Sequence, residues 1–193
     1  MLQMAEGEDG PTVLEIPRPE GWVLDGGVLW SPKADRFVVW RRPNHPLRQV
    51  HYVRSSPKDS VQPEHFTNTY PKAGDELNVA RPVVCFVDGR EPVVLEEGLV
   101  EHPYDIRRSR WREDGTRLSL EFVERGFGIC RVLEVDSEAR SQRVVVEEKS
   151  ETFIYVDGKA YRHDLKDGAE VLWLSERDGW NHLYLMDGAT GEV

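Results

Sequence analysis

The sequence predicts an all-β chain folded as an incomplete β-propeller of about three blade-like antiparallel sheets. Three observations carry this prediction. Gly and Pro punctuate the chain densely, with 16 and 12 copies in 193 residues, so the elements must be short. Apolar residues alternate or run in fours, with β-branched and aromatic side chains prominent, as strands require. One pattern also recurs: a bulky residue, a polar turn and a strand, in LWSPKADRFVVWRR, RWREDGTRLSLEFVER and HDLKDGAEVLWLSERDG.

The anchors of this repeat are Trp30, Trp111 and Leu165. Each is followed by a strand, a turn and a second strand, read as HYVRSS, GICRVLEVD and NHLYLMDGATGEV. The second unit turns again at Asp136-Ser137-Glu138 and returns as QRVVVEE. An antiparallel meander repeated in this way is the signature of propeller blades. In the last unit Leu172, Leu174, Leu183 and Leu185 share one parity, while Trp173, Tyr184 and Met186 share the other. Both faces are therefore apolar, as in a sheet stacked between neighbours.

The units are placed at residues 27–97, 104–148 and 152–193, within a propeller portion covering 21–193. Residues 1–20 form a poorly defined leading segment. The first unit is longer because residues 57–80 are polar, Pro-bearing and aperiodic, and read as an insertion. The hairpin RPVVCFVDGREPVVLEE follows it, turning at Asp88-Gly89. Helix is expected at most as a turn or two within residues 1–7 and 55–66. Three units are fewer than the four or more that close a ring, so the sequence is expected to belong to a longer protein.

Composition excludes some roles. With 25 Lys+Arg against 35 Asp+Glu, the formal charge is −10, and no basic block offers a surface to nucleic acid phosphates. No apolar run is long enough for a membrane span, and residues 1–10 do not read as a signal peptide; the compartment is left open, between cytoplasm and secretion. Cys85 and Cys130 lie in apolar strands and read as buried free thiols. The six histidines lack ligand spacing, so neither a metal nor another cofactor is expected.

TYPKAGDELNVARPVVCFVDG, the WSPKADRF unit and above all WLSERDGWNHLYLMDGATGEV resemble the N-terminal β-propeller of dipeptidyl peptidase IV-type serine peptidases, in the prolyl oligopeptidase clan. That resemblance implies a non-catalytic propeller that gates and binds peptide substrates for an α/β-hydrolase domain bearing a Ser-His-Asp triad. The sequence contains no G-x-S-x-G elbow, so no catalytic residue is assigned and the chain alone is expected to be inactive. The family's paired glutamates for the substrate amino terminus have no counterpart before Trp30; Glu96-Glu97 and Glu147-Glu148 end strands elsewhere.

Arg177 and Asp178 are the candidate substrate-binding residues. Two readings of Arg177-Asp178-Gly179 stand side by side: a tight turn in which Asp caps backbone N–H groups, and an arginine presented to a peptide carboxylate. His182 and the His163-Asp164 pair beside Arg162 read as structural polar groups, with a charge relay the alternative at the latter. Trp30, Trp40, Trp111 and Trp173 are assigned to the core, and Trp22 and Trp180 to the surface. Two functional classes follow: a peptidase propeller portion, or a stand-alone peptide- or protein-binding module, with homo-oligomerisation one way to complete the ring.

Overall fold

The computed structural model describes Leu2–Gln3, Val13–Leu14 and residues 15–193. Every strand pairing in it is antiparallel. Strands β1 (Leu2–Gln3) and β2 (Val13–Leu14) pair with each other. The first blade contains β3 (Trp22–Trp30), β4 (Arg36–Pro43), β7 (Arg81–Phe86) and β8 (Val93–Val94), in that spatial order. The second contains β9 (Pro103–Trp111), β10 (Arg117–Glu124), β11 (Ile129–Asp136) and β12 (Ser141–Lys149). The third contains β13 (Arg162–Leu165), β14 (Glu170–Ser175) and β15 (His182–Asp187).

The repeat predicted from sequence is a structural equivalence. Trp30, Trp111 and Leu165 each end the first strand of their sheet, opposite Phe37, Leu118 and Glu170 on the second. The turns between them close on backbone bonds, from Ser31 N–H to the Arg36 carbonyl and from Arg112 N–H to the Arg117 carbonyl. In the second turn Asp114 accepts the N–H groups of Thr116 and Arg117, while Gly115 takes the left-handed φ of 67° that the tight reversal needs.

Apolar faces then stack sheet on sheet. Val38, Val84 and Phe86 of the first blade meet Leu118, Leu120, Phe122 and Leu133 of the second. The opposite face of the second, Val123, Cys130, Val132 and Val146, meets Val171, Trp173 and Met186 of the third. On the first blade's other face, Phe37, Val39, Val83 and Cys85 are buried, with Ile16 packed against them. The opposite face of the third sheet carries Leu172, Leu174, Leu183 and Leu185, paired by register across β14 and β15. It has no covering layer among the described residues, and Leu183 and Leu185 are 53% and 48% exposed.

Several sequence expectations change. The strand expected at residues 51–56 is β5 (Gln49–Arg54), which pairs only with β6 (Glu64–Thr69) in a separate hairpin. The blade's third strand is β7 instead, since its Val-Val-Cys-Phe run buries completely against β4 whereas β5 and β6 are largely exposed. The excursion from the blade therefore runs from 44 to 80. No helix forms at 55–66, whose residues are bends, a short coil and the start of β6; of residues 1–7, all but Leu2–Gln3 lie outside the described ones. Trp30 is exposed rather than core: it stands at the very end of the edge strand β3, 44% exposed, with its ring 4.9 Å from that of Phe37. Trp173 is buried, Trp40 and Trp111 are half-buried with Trp22, and Trp180 is exposed.

Cys85 and Cys130 are both free and buried. Burial pushes their thiols up to about 11 and about 12 respectively, because a thiolate would have to be stripped of water. No helix among the described residues is long and apolar enough to cross a membrane.

Candidate functional site

A cleft of about 290 Å³ opens between the second and third sheets. Glu148 near the end of β12, Trp173 and Ser175 of β14, and Phe153, Tyr155 and Lys159 of the connecting segment contribute to its walls, together with Arg177. The sequence makes this arrangement directly. β12 and β14 belong to adjoining sheets, so their ends lie together, while the Pro-free but irregular stretch between β12 and β13 is left to form a rim.

Glu148 organises the polar side. Its side chain is largely buried and accepts hydrogen bonds from the Ser175 hydroxyl at 2.7 Å and 2.8 Å, from the Trp173 indole at 3.3 Å and from Arg177 Nη2 at 3.2 Å. Arg177 also donates its backbone N–H and Nε to Ser175 Oγ, and its guanidinium lies 4.8 Å from the centre of the Tyr184 ring. An arginine held along three directions is oriented in advance, so binding through it costs little side-chain ordering. It retains a side-chain exposure of 32%, which leaves part of its fork open to a ligand.

On the apolar side, rings follow one another from Tyr104 to Phe127, Phe153 and Tyr155 at centroid distances of 4.5, 5.0 and 6.4 Å. Phe153 and Tyr155 are both half exposed. A buried carboxylate, a tethered guanidinium and an open aromatic wall suit a short peptide, whose backbone needs polar partners and whose side chains need an apolar surface.

Arg177 therefore lies at the cleft, and Asp178 turns away from it. Asp178 accepts the Trp180 N–H at 3.1 Å and pairs with His182 Nδ1 at 2.9 Å, while Gly179 takes φ of 94°. The Trp180 N–H bond comes first among the causes that hold the Asp178 carboxyl below its ordinary range, with the Tyr184 hydroxyl and His182 adding to it. The structure displays the tight turn, and it is this turn that delivers Arg177 to Ser175 and Glu148. The sequence reading passed over Glu148 as a strand end. Its signal was the inward parity of a glutamate in VVVEE, which a buried polar partner must answer.

Sequence reasoning also missed a buried ion cluster joining β9 and β10 to β13. Asp164 accepts Arg162 Nε and Nη2 at 2.7 Å each, and pairs with Arg112 Nη1 and Arg110 Nη2 at 2.5 Å. Burial opposes its ionisation, but the Arg162 and Arg112 guanidiniums prevail and hold its carboxyl at about 2. Glu134 pairs with Arg112 at 2.9 Å and with Arg143 at 2.7 Å, and it is likewise held below its usual range against the opposing effect of burial. The Arg162-His163-Asp164 run is thus a structural ion pair with His163 exposed. Among the described residues, no group of three or more side chains is arranged to hold a metal ion.

Strand order, the stacking of apolar faces and the equivalent first turns define a run of propeller blades. The chain matches the family described as "Dipeptidyl peptidase IV (DPP IV) N-terminal region" over residues 24–192, and it belongs to that family. Among solved structures it is similar to the crystal structure of Porphyromonas gingivalis dipeptidyl peptidase 4, with a TM-score of 0.61 and 18% identity. The match covers 86% of this chain and 23% of that one, so this chain spans about a quarter of the length of that neighbour.

Proposed function

We propose that this chain is the non-catalytic propeller portion of a dipeptidyl peptidase IV-like serine peptidase. In this reading it binds peptide substrates and gates their access to a hydrolase domain that lies outside the 193 residues. The observation that carries it is the cleft between the second and third sheets, where Arg177 is held by Glu148 and Ser175 beside the Phe153 and Tyr155 rings. Peptide meets a fixed positive group and an aromatic wall there. Catalysis belongs to a Ser-His-Asp triad elsewhere, because the 193 residues contain no G-x-S-x-G elbow to present a nucleophilic serine.

Titration of the chain with a fluorescent tripeptide tests the reading. Saturable binding that falls about tenfold or more in Arg177→Gln, as expected for loss of a charge-assisted bond, supports it. Binding unchanged in both Arg177→Gln and Phe153→Ala would remove its basis.

A second reading, a stand-alone module that binds proteins or its own copies, is favoured by the β5–β6 hairpin. This hairpin stands outside the blade sheets and exposes a stacked Tyr52–Phe66 pair at 5.3 Å together with Val53. Concentration-dependent sedimentation that disappears in a Tyr52→Ser, Phe66→Ser variant supports that module.

A further inference from the structure

A second cavity, of about 320 Å³, lies on the free edge formed by the first strands of the second and third sheets. It is lined by Arg108, Ser109 and Arg110 of β9, Glu121 of β10 and Arg162 of β13. This volume is at the small end of the range for ligand sites. We propose that it is a carboxylate-binding site in which Arg108, Arg110 and Arg162 receive the anion.

The balance of charge is the first argument. Among the described residues Arg108 pairs only with Glu121, at 3.1 Å, and Arg110 only with Asp164. Arg162 shares both of those carboxylates, which also serve Arg107 at 3.6 Å and Arg112 at 2.5 Å. Two carboxylates thus answer the three cavity arginines, an excess of one positive charge, while Arg107 and Arg112 have carboxylates of their own in Asp157 at 3.0 Å and Glu134 at 2.9 Å. The surplus of guanidinium is unusual in a chain whose formal charge is −10.

The second argument is an unmet donor. The Arg162 side chain is 98% buried, at 2% exposure, yet its Nη1 has no hydrogen-bond partner among the described residues. Glu121 Oε1 approaches it only to 3.8 Å. A buried donor left unpaired carries a desolvation penalty, and an added acceptor would remove it.

The third is the backbone that presents the arginines. Between Ser119 and Glu121 the β9–β10 register slips by one residue, so that Arg108 and Ser109 together face Leu120. Arg108 adopts φ of 51°, a left-handed conformation that a long side chain takes at a cost. Such a bulge bends the strand and re-aims its side chains, and here it brings Arg108 and Arg110 to the wall of one cavity. Planar guanidiniums match a carboxylate through paired N–H bonds, which selects this anion class over a spherical ion.

Calorimetry on the 193-residue chain with acetylglycine, its neutral analogue acetylglycinamide, and inorganic phosphate tests the site. Acetylglycine should bind at least about tenfold tighter than the amide. Arg110→Gln should weaken it about tenfold while the fold persists, since Asp164 keeps Arg162 and Arg112. Glu121→Gln removes the internal carboxylate that competes for Arg108 and Arg162 and should tighten acetylglycine binding several-fold, a gain that a purely structural role would not produce. Absence of acetylglycine binding, equal binding of the amide, no loss in Arg110→Gln or no gain in Glu121→Gln would each overturn the proposal. Tighter binding of phosphate would overturn the carboxylate assignment. The site shares no residue with the Arg177 cleft, so failure here leaves the peptide reading standing, and the converse holds.

Discussion

Replacing Asp164 with Asn keeps the shape of the side chain and removes the charge on which three guanidiniums converge. Arg162, Arg112 and Arg110 all reach it, and the side chains of Arg162 and Arg112 are each only 2% exposed. The Asp164 side chain is 4% exposed, so solvent screens little of the interaction. The carboxyl's ordinary value is 3.8 and its folded value about 2, and the difference corresponds to about 2 kcal/mol. Asn should cost somewhat more than protonation, because its amide turns N–H groups toward donors and leaves buried cations uncompensated, a change worth about 3 kcal/mol or more in comparable sites. With a urea dependence of about 2 kcal/mol per molar, the midpoint should fall by about 1 to 1.5 M.

The pH dependence supplies an independent control. A carboxyl whose folded value is depressed contributes stability that is fully present above its unfolded value and is lost as pH falls through the folded one. The gap in stability between the native chain and Asp164→Asn should therefore be constant above about pH 5 and narrow steadily toward pH 2. Urea melts at four or five pH values read this directly. A midpoint change equivalent to less than about 0.5 kcal/mol, the usual size of a surface substitution, or a gap of equal size at pH 6 and pH 2, would refute the reasoning.

Two further outcomes follow from burial alone. Cys85 and Cys130, pushed up to about 11 and about 12, should resist a thiol reagent at pH 8 in the native chain and react promptly in denaturant; rapid native labelling would contradict their placement. Replacing Leu183 and Leu185 by Lys on the uncovered face of the third sheet should reduce hydrophobic-dye binding and self-association and change stability by less than about 0.5 kcal/mol each, and a cooperative loss of fold would mean that this face is covered.

The blades were legible because their signal is local. Parity separated Leu172, Leu174, Leu183 and Leu185 from Trp173 and Met186, and the structure places the two sets on opposite faces of one sheet. The turns after Trp30, Trp111 and Leu165 were legible for the same reason. The excursion was not, because QVHYVR carries strand propensity equal to that of a blade strand, and its choice of β6 over β4 is decided by which partner buries more apolar surface. Arg177 was visible through its turn, but Glu148, which holds it, was 29 residues away. Charged residues in RRSRW and in LSLEFVE look like a solvent face in sequence; only the meeting of β9, β10 and β13 makes Glu121 one of the most deeply buried side chains.

That meeting also explains why charges are placed where apolar residues would pack. Valine and leucine faces attract without direction, so an interface made of Val123, Val132, Val146 and Val171 alone tolerates small displacements of one sheet against the next. Guanidinium forks do not. Arg112, held at 2.9 Å by Glu134 of its own blade, and Arg110 must both meet Asp164, held at 2.7 Å by Arg162 of its own strand, and few relative positions of the second and third sheets satisfy both at once. The Arg177 cleft is assembled from the same two sheets, Glu148 from one and Ser175 from the other, and needs their ends held to within a hydrogen-bond length. Apolar stacking thus supplies most of the cohesion between the blades, and the buried arginine cluster fixes the alignment on which a site built across them depends.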